Sequence, residues 1–162
     1  MTVPTPAHEA LEVFVGRWRA NGTSYGDGQT ADDPLASAVP WTSDESYAWL
    51  AGGLFLVHRW DALVGERPFE GIEILGVDDE GQYFAELFDD SGNRVEYAVT
   101  CDGDTWTFTA PASRATATVE TPGQIAWNWE WRPSGDAWLP LCERSATLQP
   151  TSLGAVVGSA VA

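Results

Sequence analysis

Apolar and polar residues alternate along most of this chain. The clearest run is "QIAWNWEWRPSG", residues 124–135, in which Ile125, Trp127, Trp129 and Trp131 are separated by Ala126, Asn128 and Glu130. Successive strand side chains point to opposite faces, so a strand puts the isoleucine and the three tryptophans on one face. The same period predicts strands at 17–25, 41–50, 54–63, 69–77, 82–88, 94–101, 105–109, 114–120, 124–132 and 138–148. Between them lie "AGG", "VGERP", "DDEG", "DDSGN", "CDGD", "APAS", "ETPG" and "RPSGD", all turn chemistry. Helical spacing occurs at 6–15, where Leu11, Phe14 and Val15 form a short stripe after Pro6 and before Gly16.

About ten strands joined by short turns form an antiparallel meander rather than βαβ units. Such a sheet leaves two open edges unless it closes. The predicted fold is therefore all-β: an antiparallel up-and-down β-barrel of about ten strands, with the short N-terminal helix plugging one end. About eight strands nearly fill their own interior, whereas about ten leave room for a small molecule. The polar stretch 26–40, the one long loop, becomes a lid or mouth element on closure. Residues 1–149 make a single barrel domain, and the tail 150–162 is expected to be loosely ordered.

A tryptophan buries up to ~250 Å², worth up to roughly 6 kcal/mol at about 25 cal/mol per Å². Three in a row therefore point inward, the alternative being a dimer interface. Counting strand directions from the helix places Trp131 in the plugged end as core and Trp127 beside the cavity. Trp18 is expected under the helix.

Some polar residues share faces with large apolar ones. Glu45 accompanies Trp41, Tyr47 and Trp49. Glu73 lies between Phe69 and Leu75, and Glu86 between Phe84 and Phe88. His58 shares a face with Leu56 and Trp60, and Arg144 with Trp138 and Cys142. An inward carboxylate must be paired or its pKa rises, and an inward Arg or His would supply the partner. The alternative is a place at the wet barrel rim. The candidate ligand-binding residues are Tyr47, His58, Trp60, Glu73, Phe84, Glu86, Tyr97, Trp127, Trp129 and Arg144.

Composition narrows the partners. The formal charge is −16, and all eight basic residues are arginine. Nucleic acid and anionic membrane both demand a basic footprint, so neither is expected, and lysine Schiff-base chemistry is excluded. No basic–apolar leader opens the chain and no apolar run is long enough to cross a bilayer, which makes the cytoplasm the expected compartment. Cys101 and Cys142 have no C-x-x-C spacing and are expected to be small buried hydrophobes. No zinc motif, calcium loop or G-x-S-x-G elbow is present. No metal or cofactor is expected.

The segments "HEALEVFVGRW", "AWLAGGLFLVHRW", "PFEGIEILGVDDEGQYFAELFDDSGN" and "CERSATLQ" resemble a bacterial domain-of-unknown-function family with a lipocalin-like, or calycin-like, barrel. Gly16–Trp18, Gly52–Leu56, Phe69–Gly71, Gly76–Asp78 and Asp89–Gly92 fit its motifs, over roughly residues 8–149. The resemblance implies the barrel, and by analogy an arginine of the last strand, Arg144, across Trp18. A more distant likeness is to nitrobindin-type haem barrels, where a late histidine ligates iron. Here the histidines are His8 and His58, so haem is not expected. The function expected is binding of a small, largely apolar molecule, flat or aromatic, by a monomer or homodimer. The alternatives are an enzyme acting by general acid–base chemistry in the same cavity (a cyclase, isomerase or hydrolase of an apolar metabolite) and a filled-core interaction module.

Overall fold

In the computed structural model, which describes residues 3–135 and 137–151, a helical plug is followed by ten strands. The strands are β1 (Gly16–Ser24), β2 (Val39–Trp49), β3 (Phe55–Val64), β4 (Arg67–Val77), β5 (Tyr83–Asp89), β6 (Arg94–Asp102), β7 (Thr105–Thr109), β8 (Ser113–Thr121), β9 (Gln124–Trp131) and β10 (Leu139–Leu148). All neighbours are antiparallel, and β1 pairs with both β2 and β10, so the barrel is closed and no edge remains. The predicted strands agree to within a residue or two at either end. Most of the expected disordered tail, from residue 152 on, lies outside the described residues.

The helical stretch divides into α1 (Pro6–Ala10) and a 3₁₀ turn (Leu11–Phe14). Pro6 opens α1 in the position where its missing N–H costs nothing. The 3₁₀ turn drives Leu11 and Phe14 into the barrel, where both are fully buried. The Phe14 ring meets Tyr47, Trp106 and Trp127 at centroid distances of 5.6, 5.2 and 6.1 Å. Trp18 is buried beneath it, and its indole N–H donates to the Phe14 carbonyl at 2.7 Å.

Phe14 marks the closed end, and this reverses the expected roles of two tryptophans. Trp127, not Trp131, packs against the plug and is buried, while Trp131 lies at the turn into β10, only partly covered. In a meander all odd-numbered strands run the same way, so β9 ends where β1 ends, at the mouth. The β9–β10 turn therefore lies at the mouth and not at the expected plug end. At the mouth, Trp131 Nε1 donates to Gln29 Oε1 at 2.7 Å, and Gln29 Nε2 donates to the Pro140 carbonyl at 2.6 Å. These bonds tie the loop between β1 and β2 to the open rim.

Strand β5 turns the opposite face inward from the one expected. Ala85 is buried, while Phe84, Glu86 and Phe88 point away from the cavity. Phe84 fills the notch over Gly76 beside Phe55. Glu86 is paired with Arg94 at 2.6 Å, and the Arg94 guanidinium lies 5.9 Å from the Phe88 ring. Cys101, expected to be buried, is exposed, whereas Cys142 is buried. A register shift between Pro140 and Cys142 also moves Trp138 off the face of Cys142. Trp138 sits between the Arg114 and Arg132 guanidinium groups, at 4.3 and 4.9 Å.

The two ends of β9 should respond differently to truncation. Trp127→Ala removes a ring from the packed end and should lower unfolding free energy by roughly 3–5 kcal/mol. Trp131→Ala, at the wetter rim, should cost less than half as much. Urea denaturation of both variants measures the difference, and equal losses would contradict the placement of the plug.

Candidate functional site

Above the Phe14 plug the barrel encloses a cavity of ≈ 600 Å³. Its apolar wall includes Trp41, Trp60, Phe69, Tyr97, Trp127, Trp129 and Trp131, and Asp27, Arg67, Asp89, Ser91 and Asn93 stand among its polar lining. The three β9 tryptophans all line it, with the Trp127 and Trp129 rings stacked at 6.1 Å and 12°. Seven of the ten candidate residues are on this surface: His58, Trp60, Glu73, Tyr97, Trp127, Trp129 and Arg144. Phe84 and Glu86 are outside the barrel, as their strand requires. Tyr47 is inward and buried but lies behind His58, its ring stacked on the imidazole at 3.9 Å and 4°.

Register explains which polar groups meet. Tyr47, His58 and Glu73 are direct cross-strand partners on β2, β3 and β4. Glu45 is one inward step along β2 from Tyr47, and its carboxylate reaches His58 diagonally. His58 Nε2 lies 3.0 Å from Glu45 Oε2, and Nδ1 lies 3.3 Å from Glu73 Oε2. Arg144 arrives from β10, on the far side of β1. It crosses at Gly22, its Cα partner, where an added Cβ would collide with the Glu143 carbonyl and with Arg144 itself. Arg144 then donates from Nη1 to Glu45 Oε1 at 2.9 Å. Its guanidinium lies 5.1 Å from the Trp41 ring and 5.4 Å from the Trp127 ring, so it stacks there rather than across Trp18 as the family analogy implied.

Glu45 Oε1 also accepts from Ser43 Oγ at 2.6 Å, and Ser43 Oγ in turn accepts from Trp41 Nε1 at 3.0 Å. Trp41, Ser43, Glu45 and Tyr47 are alternate residues of β2, so one strand face supplies the cradle. Of these only Tyr47 is among the candidate site residues; Glu45 is noted from the sequence as an inward carboxylate but not counted with them, and Trp41 and Ser43 are missed altogether. Their signal was the alternation itself, since every second residue from Trp41 to Tyr47 must point inward if Glu45 does.

The four ionisable side chains are all at most 7% exposed. Burial alone would raise the Glu45 pKa, but the Arg144 charge and the bonds from His58 and Ser43 outweigh it and bring the pKa down to about 2. Burial alone would lower the His58 pKa, but the hydrogen bonds and charges of Glu45 and Glu73 outweigh it and hold the pKa above the ordinary 6.5. A neutral imidazole donates one hydrogen bond, and His58 faces a carboxylate oxygen at each nitrogen, so the imidazolium is the form that satisfies both. The Cys142 thiol is pushed up to about 11 by burial and is no nucleophile at neutral pH. Trp60 owes its place over the sheet to Gly71, where a Cβ would overlap the indole. Among the described residues no group of three or more His, Cys, Asp and Glu is arranged to hold a metal ion.

These shifts set opposite limits on stability. The depressed Glu45 pKa contributes stability above its unfolded value, near 4.5, which disappears as pH falls toward about 2. The contribution is on the order of 3 kcal/mol. The raised His58 pKa contributes stability that is complete below 6.5 and is lost as pH rises through the folded value. Unfolding free energy measured against pH should therefore be highest between about 4.5 and 6.5 as far as these groups decide it. His58→Gln should flatten the alkaline limb, and an unchanged alkaline limb would contradict the bonding described here.

The architecture is shared with proteins of very different sequence. The crystal structure of Rv2717c from M. tuberculosis superposes with a TM-score of 0.68 at 15% identity, over 90% of this chain and 99% of that one. The S-type phycobiliprotein lyase CPES from Guillardia theta gives 0.55 at 14% identity, over 88% and 92%. The zebrafish ileal bile acid-binding protein complexed with cholic acid gives 0.51 at 12% identity, over 85% and 99%. At such identities the likeness establishes the calycin-like barrel alone. No curated protein matches the sequence. No helix among the described residues is long and apolar enough to cross a membrane. Residues 3–133 match the profile of a protein family of unknown function, DUF1579, and with four-fifths of its length inside that match the chain belongs to this family.

Proposed function

We propose that the barrel binds a small, largely apolar molecule, flat enough to lie among the tryptophans, with its polar end against the Glu73–Arg144 wall. One observation carries the reading: an aromatic cavity of ≈ 600 Å³ is lined in part by three members of a buried ionic cluster, His58, Glu73 and Arg144, with polar atoms to spare. That volume falls in the range of small-molecule sites, about 300–1,000 Å³, and so does the chemistry, an apolar wall with a few fixed polar groups. A similar barrel is known in complex with cholic acid, which supports the reading at the level of fold alone.

A second reading, an enzyme on an apolar metabolite, is favoured by His58. Its ring lines the cavity and holds a proton between two carboxylates, an arrangement suited to general acid–base chemistry. The contacts to Glu45 and Glu73, however, keep the ring protons engaged within the protein. Among the described residues nothing in the lining supplies an activated nucleophile, which leaves proton transfer as the chemistry to look for.

The test is titration with N-phenyl-1-naphthylamine, a flat uncharged fluorophore. One saturable site should appear, with quenching of tryptophan emission. Trp129→Ala, which removes a half-buried wall residue, should weaken it about tenfold, or about 1.4 kcal/mol. Absence of saturation, or binding indifferent to Trp129→Ala, would overturn the assignment.

A further inference from the structure

The charges of the cavity's buried cluster, apart from the exposed Asp27 and Arg67 at its mouth, restrict what the ligand's buried end can be, and this inference rests on the binding reading above. Glu45 and Glu73 contribute two negative charges, and Arg144 and the His58 imidazolium two positive ones. Moving one His58 proton onto a carboxylate leaves the total unchanged. The cluster is therefore neutral as it stands, and its Arg144 charge is already engaged by Glu45 at 2.9 Å. A carboxylate placed here would meet a guanidinium with no net charge to offer and a second carboxylate, Glu73, in the same wall. An ammonium paired with Glu73 would leave a net positive charge buried. It could be neutral only if His58 gave up a proton, and then a bare ring nitrogen would face a carboxylate oxygen at 3.0 or 3.3 Å. Either ion is left without compensation in a site of low polarity, where the penalty is several kilocalories.

The unpartnered polar atoms give the positive half of the argument. Among the described residues, Arg144 Nε, Trp60 Nε1 and Glu73 Oε1 are buried, belong to cavity-lining residues and have no hydrogen-bond partner. Two are donors and one is an acceptor. Glu73 is the informative member. Its Oε2 faces His58, and its Oε1 is buried without a hydrogen-bond partner. An unmet buried group of this kind is costly, and a ligand supplying the complementary atoms removes that cost.

We infer that the ligand's buried end is an uncharged group bearing an acceptor and an N–H donor side by side, such as a carboxamide, lactam or imide, attached to a flat apolar body. The acceptor takes a hydrogen bond from Arg144 or Trp60, and the donor gives one to Glu73. Selectivity then comes from the site's own unmet atoms and not from a charge pair.

Calorimetric titration at pH 7 with 1-naphthylacetamide, 1-naphthylacetate and 2-(1-naphthyl)ethylammonium separates the three classes on one aromatic body. The wild-type protein should bind the amide at least tenfold more tightly than either ion. Glu73→Gln removes one negative charge, leaves the cluster net positive, and should improve the acetate at least tenfold relative to the amide. Equal or tighter binding of either ion by the wild type overturns the inference, as does an unchanged acetate-to-amide affinity ratio in a folded Glu73→Gln protein. The wild-type comparison stands without the variant. If N-phenyl-1-naphthylamine binds and the amide does not outrank the ions, only this inference falls. If that fluorophore finds no saturable site, the cavity reading falls as well.

Discussion

The interaction on which the interior depends is the double engagement of Glu45. One carboxylate oxygen takes the Arg144 and Ser43 donors and the other takes His58, so a single side chain joins β10, β2 and β3. Because β10 and β2 meet only through β1, the Arg144–Glu45 bond spans the seam where the first and last strands close the barrel. Removing either partner would leave a buried charge unpaired, a loss of about 3–5 kcal/mol in comparable cases. The same bond fixes Arg144 beside the Trp41 and Trp127 rings and so shapes the aromatic cavity around it.

The barrel thereby separates two tasks along its axis. At the closed end Phe14, Trp18, Trp106 and Trp127 pack as core, and stability resides there. At the open end Trp131 and the loop through Gln29 shape the rim. Between them lie the cluster and the cavity. Tyr47 belongs to both levels, meeting Phe14 on one side and His58 on the other. Its hydroxyl pKa is raised well above the ordinary 10 by burial and by the two glutamates, so it stays protonated and adds no charge to the cluster.

Much of this was legible in the chain. Strand positions followed from two-residue periodicity, since the turns are rich in Gly, Pro, Asp and Asn and leave little ambiguity. Closure followed from the cost of open edges. The inward Glu45, His58, Glu73 and Arg144 announced themselves by lying between large apolar residues. Strand β5 was not legible, because Tyr83, Ala85 and Leu87 compete with Phe84 and Phe88 and both faces read as apolar. What decided it was the notch at Gly76 and the exterior Arg94–Glu86 pair, which are tertiary features. The partner of Arg144 was equally hidden, since Glu45 lies ninety-nine residues away and meets it only when the barrel closes.

At the centre of the barrel His58 is an imidazolium clamped by two carboxylates in a neutral buried cluster. Nitrogen-15 NMR of histidine-labelled protein reads this directly, because His8 is the only other histidine and a His8 substitution identifies it. Both His58 ring nitrogens should carry protons at pH 7 and keep them as the pH is raised above 6.5, with slow solvent exchange. A neutral ring, with one bare nitrogen that gains its proton only as the pH falls below 6.5, would contradict it.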